Sequence, residues 1–457
     1  MSSPSTKPIA LIYGIALAGD ALAQQLVKRG WSVLVADDNP SDAKRALARA
    51  VGATLGSQPD AAGLEQLVEQ CDMVCPAPGV PETHAVITAA RHVGVPIRTE
   101  IDLAYEWEQE RPHGPRPILA ITGTDGKTTT TMLVAHILNT AGHCAAAVGN
   151  TEVPFAAALD GDLYADVDVF AVECSSFRLN WLDSFRAEAA AWLNLAPDHQ
   201  NWHTSMADYE AAKARIWKHR RSTDVAIGFA DDAIVMRNLQ AAGGITRTFA
   251  TTDADYHVSD GCLVGPDGVI AVVSSMTRAL PHDLTNALAA AALVLETGLA
   301  DAPAVAAAVA TFRHPPHRIE PVGVIDGVRW FNDSKATSPH AALTAIRSFD
   351  HVVLLAGGLN KGLDLSSLAT EKDRIKAVIG LGSAAVDITD AFEGLCPTSV
   401  ATSMEEAVSM ADKLAVVGDV VLLSPACASF DWYPTGGYSA RGDDFRRLVA
   451  ELAGARG

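Results

Sequence analysis

Aromatic side chains make up 6% and charged ones 19% of this 457-residue chain. Basic residues are the scarcer charge: 35 Lys and Arg stand against 54 Asp and Glu, a net charge of −19. So acidic a chain lacks the basic footprint that nucleic-acid backbones require, which excludes a general nucleic-acid binder. Small anionic ligands, held by glycine loops and a few local cations, stay open. Cysteine is also sparse. The seven cysteines are scattered, and only Cys71 and Cys75 lie close, with no second pair or His cluster to complete a zinc site. They are expected as free or buried thiols of a reducing compartment. Long apolar runs are missing too. Residues 9–18 are apolar but run into a glycine turn, and residues 287–310 are broken by Glu296, Gly298 and Asp301. Neither a secretory signal nor a membrane span is expected, and the chain reads as cytoplasmic and not inserted in a membrane.

What is present is a globular composition, 49% hydrophobic, on a length that suits two to four domains. Strand and helix signals alternate throughout, which is α/β patterning. In residues 1–112 a strand at 9–13 meets Gly14, a helix runs over 20–29, and a strand at 32–36 ends at Asp37-Asp38. Strand, glycine turn, helix, strand and acid form a βαβ nucleotide-binding pattern. Its signature is incomplete, because Ala16 stands at the middle glycine between Gly14 and Gly19. An ordinary βαβ turn remains the alternative there. Residues 108–117, rich in proline and charge, read as a linker. A second α/β unit spans 113–313, and the Pro315-Pro316 turn opens a third over 314–457.

The strongest local signal is Gly123-Thr124-Asp125-Gly126-Lys127-Thr128-Thr129, between a strand at 118–122 and a helix placed at 130–141. Glycines let backbone N–H groups turn around phosphate oxygens, and the helix N-terminus adds partial positive charge. Lys127 suits the β and γ phosphates and Thr128 suits Mg²⁺. Ile121 occupies the first glycine of the usual spacing, so the loop is a shortened variant. Glu173 ends a strand at 169–173, and His199 follows one placed at 190–195. An acid and an imidazole at strand tips suggest a second cation position, although a lone His is more often structural. Ser205 and Asp208 look like a capping box for a helix over 209–219. Lys213 within that helix reads, on its own, as a solvated surface lysine. In the third unit Asn332–Thr337, Gly357–Gly362 and Ser424–Asp431 each follow a strand, which points to a ligand-binding face.

Taken together, Gly123–Thr129, Glu173-Cys-Ser-Ser176, Asp198-His199, Tyr209-Glu-Ala-Ala-Lys213, His317-Arg318, Asn332–Thr337 and Ser424–Asp431 resemble the Mur ligases. These are ATP-dependent amide-forming enzymes of peptidoglycan synthesis, and the order fits along essentially the whole chain. Asp-Ser-Lys-Ala-Thr and Ser-Pro-Ala-Cys-Ala-Ser are similar to the branch that joins D-glutamate to UDP-N-acetylmuramoyl-L-alanine. The resemblance implies three domains: Rossmann-like, central phosphate-loop ATPase-like, and C-terminal Rossmann-like. It implies that Gly14, Leu17, Ala18, Gly19, Asp37 and Asn150 hold the UDP substrate. Asp38 and Asn39 stand where the family often has Thr and Arg. ATP would meet Gly123–Thr129, Asn286, Arg318 and Lys335; Asp283 stands where Asn is common. Thr128, Glu173, His199 and Lys213, the last as a carbamate formed with CO₂, would support two Mg²⁺ ions. Lys127, Lys213, His199 and Glu173 are thus the expected catalytic set. Thr337, Lys361, Ser429, Phe430 and Tyr438 would receive the glutamate. An acyl phosphate is the implied intermediate, attacked by the glutamate amine; no residue is assigned as the base. A monomer acting on small molecules is expected.

Alternatives stay open at this point. L-glutamate in place of D-glutamate, another Mur ligase, or a folylpolyglutamate-type ligase would use the same motifs. A phosphate-loop switch would leave the C-terminal loops without a purpose. A dinucleotide-binding regulator has only the Gly14–Gly19 turn behind it.

Overall fold

Parallel strands ending in glycine turns build three sheets, and the polar loops named above sit at their carboxyl ends. The computed structural model describes residues 7–56, 59–200 and 202–456. They form two compact units, one up to Phe312 and one from Arg313.

The first unit carries two parallel sheets. Strands β1 (Ile9–Tyr13), β2 (Ser32–Ala36) and β3 (Met73–Pro76) lie in the order β2-β1-β3, and single bridges at Leu55 and Ile97 extend both edges. Strands β4 (Ile118–Thr122), β5 (Ala145–Gly149), β6 (Val169–Glu173), β7 (Ala189–Trp192), β8 (Val225–Phe229) and β9 (Ile245–Phe249) lie in the order β5-β6-β4-β7-β8-β9. Strand order reverses at β1 and at β4, so Gly14 and Gly123 both open onto a crevice between diverging connections, where such sheets bind ligands. A small antiparallel sheet of β10 (His257–Ser259), β11 (Cys262–Gly265) and β12 (Gly268–Val272) had no counterpart in the sequence reading.

The helix Pro281–Glu296 is buried from Ala287 to Val294 on every side. Being apolar all round, it is a core helix rather than an amphipathic one. Its alanines allow close approach to the helix Lys127–Thr140. The proline-rich connection at 108–117 does join two sheets, yet it is pinned: Arg116 and Glu108 form a buried ion pair at 2.7 Å. Two more buried groups fix the preceding helix, Glu100–Gln109. Glu100 pairs with Arg178 at 3.0 Å, and Asp102 accepts from the N–H groups of Ser184 and Phe185 at 2.9 and 2.8 Å. Leaving either partner of such a pair alone in the interior costs about 3–5 kcal/mol.

The second unit holds β13 (Glu320–Ile325), β14 (Val328–Asn332), β15 (Val352–Gly357), β16 (Ile375–Leu381), β17 (Thr398–Val400) and β18 (Val420–Leu423). Their order is β13-β14-β18-β15-β16-β17, parallel except for β13. The loops after β14, β15 and β18 therefore come from three adjacent strands and form one edge. All seven cysteines are free thiols. Among the described residues, no helix is long and apolar enough to cross a membrane.

Candidate functional site

At the tip of β4 the chain turns through Gly123–Gly126 into the helix Lys127–Thr140, three residues earlier than the sequence placed it. Gly126 has φ +83°, and a Cβ there would lie 2.7 Å from Asn286 Oδ1. Only glycine meets both demands. Asn286, buried on the core helix, also accepts from Thr130 Oγ1 at 3.2 Å. From the other side Asn194 braces the turn. Its Oδ1 accepts from the N–H groups of Thr124 and Asp125, both at 2.9 Å, and its Nδ2 donates to Asp125 O at 3.2 Å. Strand β7 stops at Trp192, short of the expected 195, which frees Asn194 to turn toward the loop. Asn194 was missed by the sequence reading; a polar residue just past a central parallel strand was the available signal.

Lys127 donates to the carbonyls of Gly123 and Thr124 at 2.9 and 2.7 Å. Lys213 donates to the same Gly123 carbonyl at 2.6 Å. Two lysines thus meet at one peptide. The surface-lysine reading of Lys213 fails: the residue is 1% exposed, and its Nζ lies 4.7 Å from the Tyr209 ring centre. The helix that carries it runs Met206–Ala214 and then tightens into the turn Arg215–Trp217, which sends Trp217 inward. Burial first, and the Lys127 charge second, hold the Lys213 amine well below the ordinary lysine range. Tyr209 supports both partners, since its hydroxyl shares a hydrogen bond with Thr124 Oγ1 at 3.1 Å.

Glu173 ends β6 beside β4 and is 1% exposed. Its Oε1 accepts from Asn150 Nδ2 at 3.0 Å, while Oε2 is buried with no hydrogen-bond partner. A carboxylate oxygen in that state is costly unless a cation takes it. This fits magnesium, which binds through one or two carboxylates together with phosphate oxygens and water. No group of three His, Cys, Asp or Glu suited to a metal occurs among the described residues. His199 has φ +56° and packs edge-on to Phe177 and Tyr209, 4.7 and 6.0 Å between ring centres. Its Nε2 lies 3.4 Å from Asp198 Oδ2. Asn150, expected at the UDP substrate, thus touches Glu173.

Around the first glycine turn, a Cβ on Gly19 would meet the Gly14 carbonyl at 2.4 Å. The helix Leu17–Lys28 begins at Ala16 without a side-chain cap, and Leu17 is 59% exposed. Asp37 is buried and occupied: it accepts from Ile15 N–H, Asn39 N–H and Lys44 Nζ. Asp283, likewise buried, is held by Arg278 through Nε and a terminal nitrogen, both at 2.7 Å.

In the second unit Arg441 clamps the loops. It is 2% exposed and donates to Ser334 Oγ at 2.9 Å and to the carbonyls of Ser334 and Cys427 at 2.8 and 3.1 Å. Burial lowers its pKa to about 10, so it stays charged at neutral pH. Nothing near it in sequence announced this role. Lys335 Nζ sits 3.6 Å from the Tyr438 ring centre, joining a residue expected at phosphates to one expected at the amino acid. Ser429 is buried, Phe430 is 58% exposed, Arg318 and Thr337 are half-buried and Lys361 is exposed.

The model of the Mur ligase middle domain matches residues 121–294, and that of the Mur ligase glutamate ligase domain matches 317–427. A UDP-N-acetylmuramoylalanine–D-glutamate ligase of Frankia casuarinae is 39% identical, over 97% of this chain and 94% of its own. The chain belongs to the Mur ligase family. A UDP-N-acetylmuramoylalanine–D-glutamate ligase of Pelotomaculum thermopropionicum is 36% identical over 98% of both chains. The crystal structure of UDP-N-acetylmuramate-alanine ligase from Thermotoga maritima shares the fold, with TM-score 0.60 and 18% identity over 98% of this chain and 100% of that one. Mur ligases are ATP-dependent enzymes that form amide bonds and use Mg²⁺.

Proposed function

We propose that this chain joins D-glutamate to UDP-N-acetylmuramoyl-L-alanine in peptidoglycan precursor synthesis, with ATP as the driving substrate. The observation that carries the reading is the pairing of Lys127 and Lys213 on the Gly123 carbonyl, beside a buried Glu173 oxygen that lacks a donor. Relatives of matching length named for this reaction support it. The three ligand loops of the second unit favour it over a nucleotide switch.

Lys127 leaves its loop carbonyls for the β and γ phosphates of ATP, and backbone N–H groups from Gly123 to Thr129 surround them. Asn286 lies toward the nucleotide from Gly126. Thr128, Glu173, His199 and Lys213 would hold two Mg²⁺ ions, which would supply charge neutralisation for phosphoryl transfer. Lys213 acts there as a carbamate. Burial favours the neutral Lys213 amine, whose lone pair attacks CO₂: an N–C bond forms, one C=O π pair moves to oxygen and an N–H proton is released, so a neutral amine becomes an anion. The substrate carboxylate accepts the γ-phosphoryl group as the bond to the β-phosphate breaks and ADP leaves, and the resulting acyl phosphate has a good leaving group. The glutamate amine attacks the acyl carbon and phosphate departs. Gly14, Leu17, Ala18, Gly19, Asp37 and Asn150 serve the UDP substrate. Thr337, Lys361, Ser429, Phe430 and Tyr438 serve the amino acid, with Arg318 and Lys335 as that unit's cations for phosphate. The domains are 1–112, 113–313 and 314–457, and the protein acts as a cytoplasmic monomer.

The test measures phosphate release from ATP with Mg²⁺ and UDP-N-acetylmuramoyl-L-alanine, adding D-glutamate, L-glutamate or no amino acid. Release only with D-glutamate, and a product heavier by one glutamyl residue, is expected. Release with L-glutamate alone overturns the substrate. Equal release without an amino acid overturns the ligase reading.

A further inference from the structure

Besides the three loops on the ligand edge of the second unit, β16 sends a fourth, Gly382–Ala384, which carries no charged residue. The loops after β15 and β18 are zipped by their backbones. Leu359 N–H donates to the Ala428 carbonyl at 2.8 Å, Ala428 N–H donates back at 3.1 Å, and Gly357 N–H reaches the Pro425 carbonyl at 2.8 Å. The β16 loop is attached mainly through a side chain. Asp431 Oδ2 accepts from Ser383 N–H at 2.9 Å and lies 3.1 Å from Ser383 Oγ. The same hydroxyl is 3.2 Å from the Gly358 carbonyl, which Ala384 N–H also reaches at 2.9 Å. Its single proton serves one acceptor or the other. Gly382 permits the approach: at φ +62°, a Cβ there would overlap the Asp431 carboxylate and lie 2.9 Å from Gly358 Cα.

Asp431 and Gly358 belong to opposite halves of the pocket expected for the amino acid. Asp431 follows Ser429 and Phe430. Tyr433 N–H holds the Ser429 carbonyl at 2.7 Å and Ser383 holds the Asp431 carboxylate, so these three residues are pinned at both ends. Gly358 stands three residues before Lys361, on a turn that Asn360 closes through the N–H and carbonyl of Leu363 at 2.9 and 3.0 Å. Ser383 thus spans the gap between the Ser429 side and the Lys361 side. Both Asp431 and Ser383 are exposed, so losing their bond relaxes a spacing and leaves the core intact. Glutamate carries two carboxylates at a separation set by its chain, and aspartate is one methylene shorter. Anchors held at a fixed distance tell the two apart; anchors on loosened loops follow the shorter ligand.

We propose that Asp431 and Ser383 are positioning residues that fix the distance between Lys361 and Ser429 and thereby select glutamate over aspartate. This deepens the proposed function and rests on it.

Steady-state ligation is measured with ATP, UDP-N-acetylmuramoyl-L-alanine and either D-glutamate or D-aspartate. The readout is the ratio of kcat/KM for the two amino acids, which a smaller fraction of folded protein does not move. Where D-aspartate turnover is too slow to follow, its inhibition constant against D-glutamate supplies the comparison. Losing a hydrogen bond to a charged group costs on the order of 10-fold. Asp431→Ala is expected to raise KM for D-glutamate by that factor and to lower the ratio equally, with KM for ATP unmoved. Asp431→Asn, whose amide carbonyl can still take the Ser383 N–H, recovers part of the ratio. Ser383→Ala, which keeps that N–H, lowers the ratio about 3-fold and adds nothing in the Asp431→Ala background. An unchanged ratio in Asp431→Ala overturns the proposal and leaves the ligase reading standing. A KM for ATP that rises in step with that for D-glutamate overturns it too. If the unaltered protein forms no amide product with either amino acid, the ligase reading fails and takes this proposal with it.

Discussion

The chain contains two strand–glycine–helix turns, at Gly14 and at Gly123, and their surroundings differ more than their backbones. At Gly123 the flanking strands, the core helix and the helix Met206–Ala214 send in Asn194, Asn286, Lys213 and the Glu173 carboxylate, with Lys127 on the turn itself. At Gly14 the neighbours are acids, Asp37 and Asp38, and the nearby cation, Lys44, is bound to Asp37. One turn sets N–H donors, the Lys127 charge and metal-binding groups around a polyphosphate. The other sets helix N–H groups beside two carboxylates. A glycine turn supplies the backbone cradle; the residues arriving from adjacent strands decide what lies in it.

Removing the cation that defines the second turn gives the largest contrast. Lys127→Ala is expected to lower ATP-dependent ligation at least about 1,000-fold in a phosphate-release assay, because the γ-phosphate loses its main positive partner. A loss under tenfold means that the turn does not hold ATP. Lys213→Ala comes next, with activity falling about 100-fold or more. Short carboxylic acids should restore part of it by standing in for the carbamate. Full activity in the bare variant removes the carbamate from the mechanism. Asn194→Ala leaves the N–H groups of Thr124 and Asp125 without their brace. KM for ATP is expected to rise about 10-fold while KM for the UDP substrate holds. A matching rise for both substrates would show that the two turns are not independent. The reverse probe is the mildest. Lys44→Ala should raise KM for the UDP substrate about 3-fold and leave ATP alone, since it disturbs Asp37 only. Isothermal titration with each nucleotide separates the last two outcomes.

Much of this was legible in the residues. Strands at 9–13, 32–36, 118–122 and 169–173 matched because short apolar runs stopped by glycine or acid leave little room for another reading. Both turns and the three C-terminal loops followed from their places after strands. What escaped depended on neighbours distant in sequence. Met206–Ala214 shows no apolar stripe that would bury Lys213; the phosphate loop and Tyr209 close over it from outside the helix. Asp37 and Asp38 look alike in the sequence, yet Lys44 holds the first and Tyr13 and His84 the second. Arg441 reaches two loops that lie up to 107 positions away. The run at 322–325 reads as a strand in the sequence, but its antiparallel pairing as β13, like the sheet β10–β12, depends on pairings that no local period encodes.

The helix Pro281–Glu296 makes packing and chemistry a single variable. Eight consecutive residues, Ala287 to Val294, have no exposed surface, and Asn286 stands at their head against Gly126. An added methyl group there has no solvent side to move toward, so it displaces the whole rod and carries Asn286 with it. Substitutions in this stretch should therefore surface as altered nucleotide affinity before they surface as lost folding. Enzymes with a conditional, temperature-sensitive defect are expected to arise from positions that never touch a substrate.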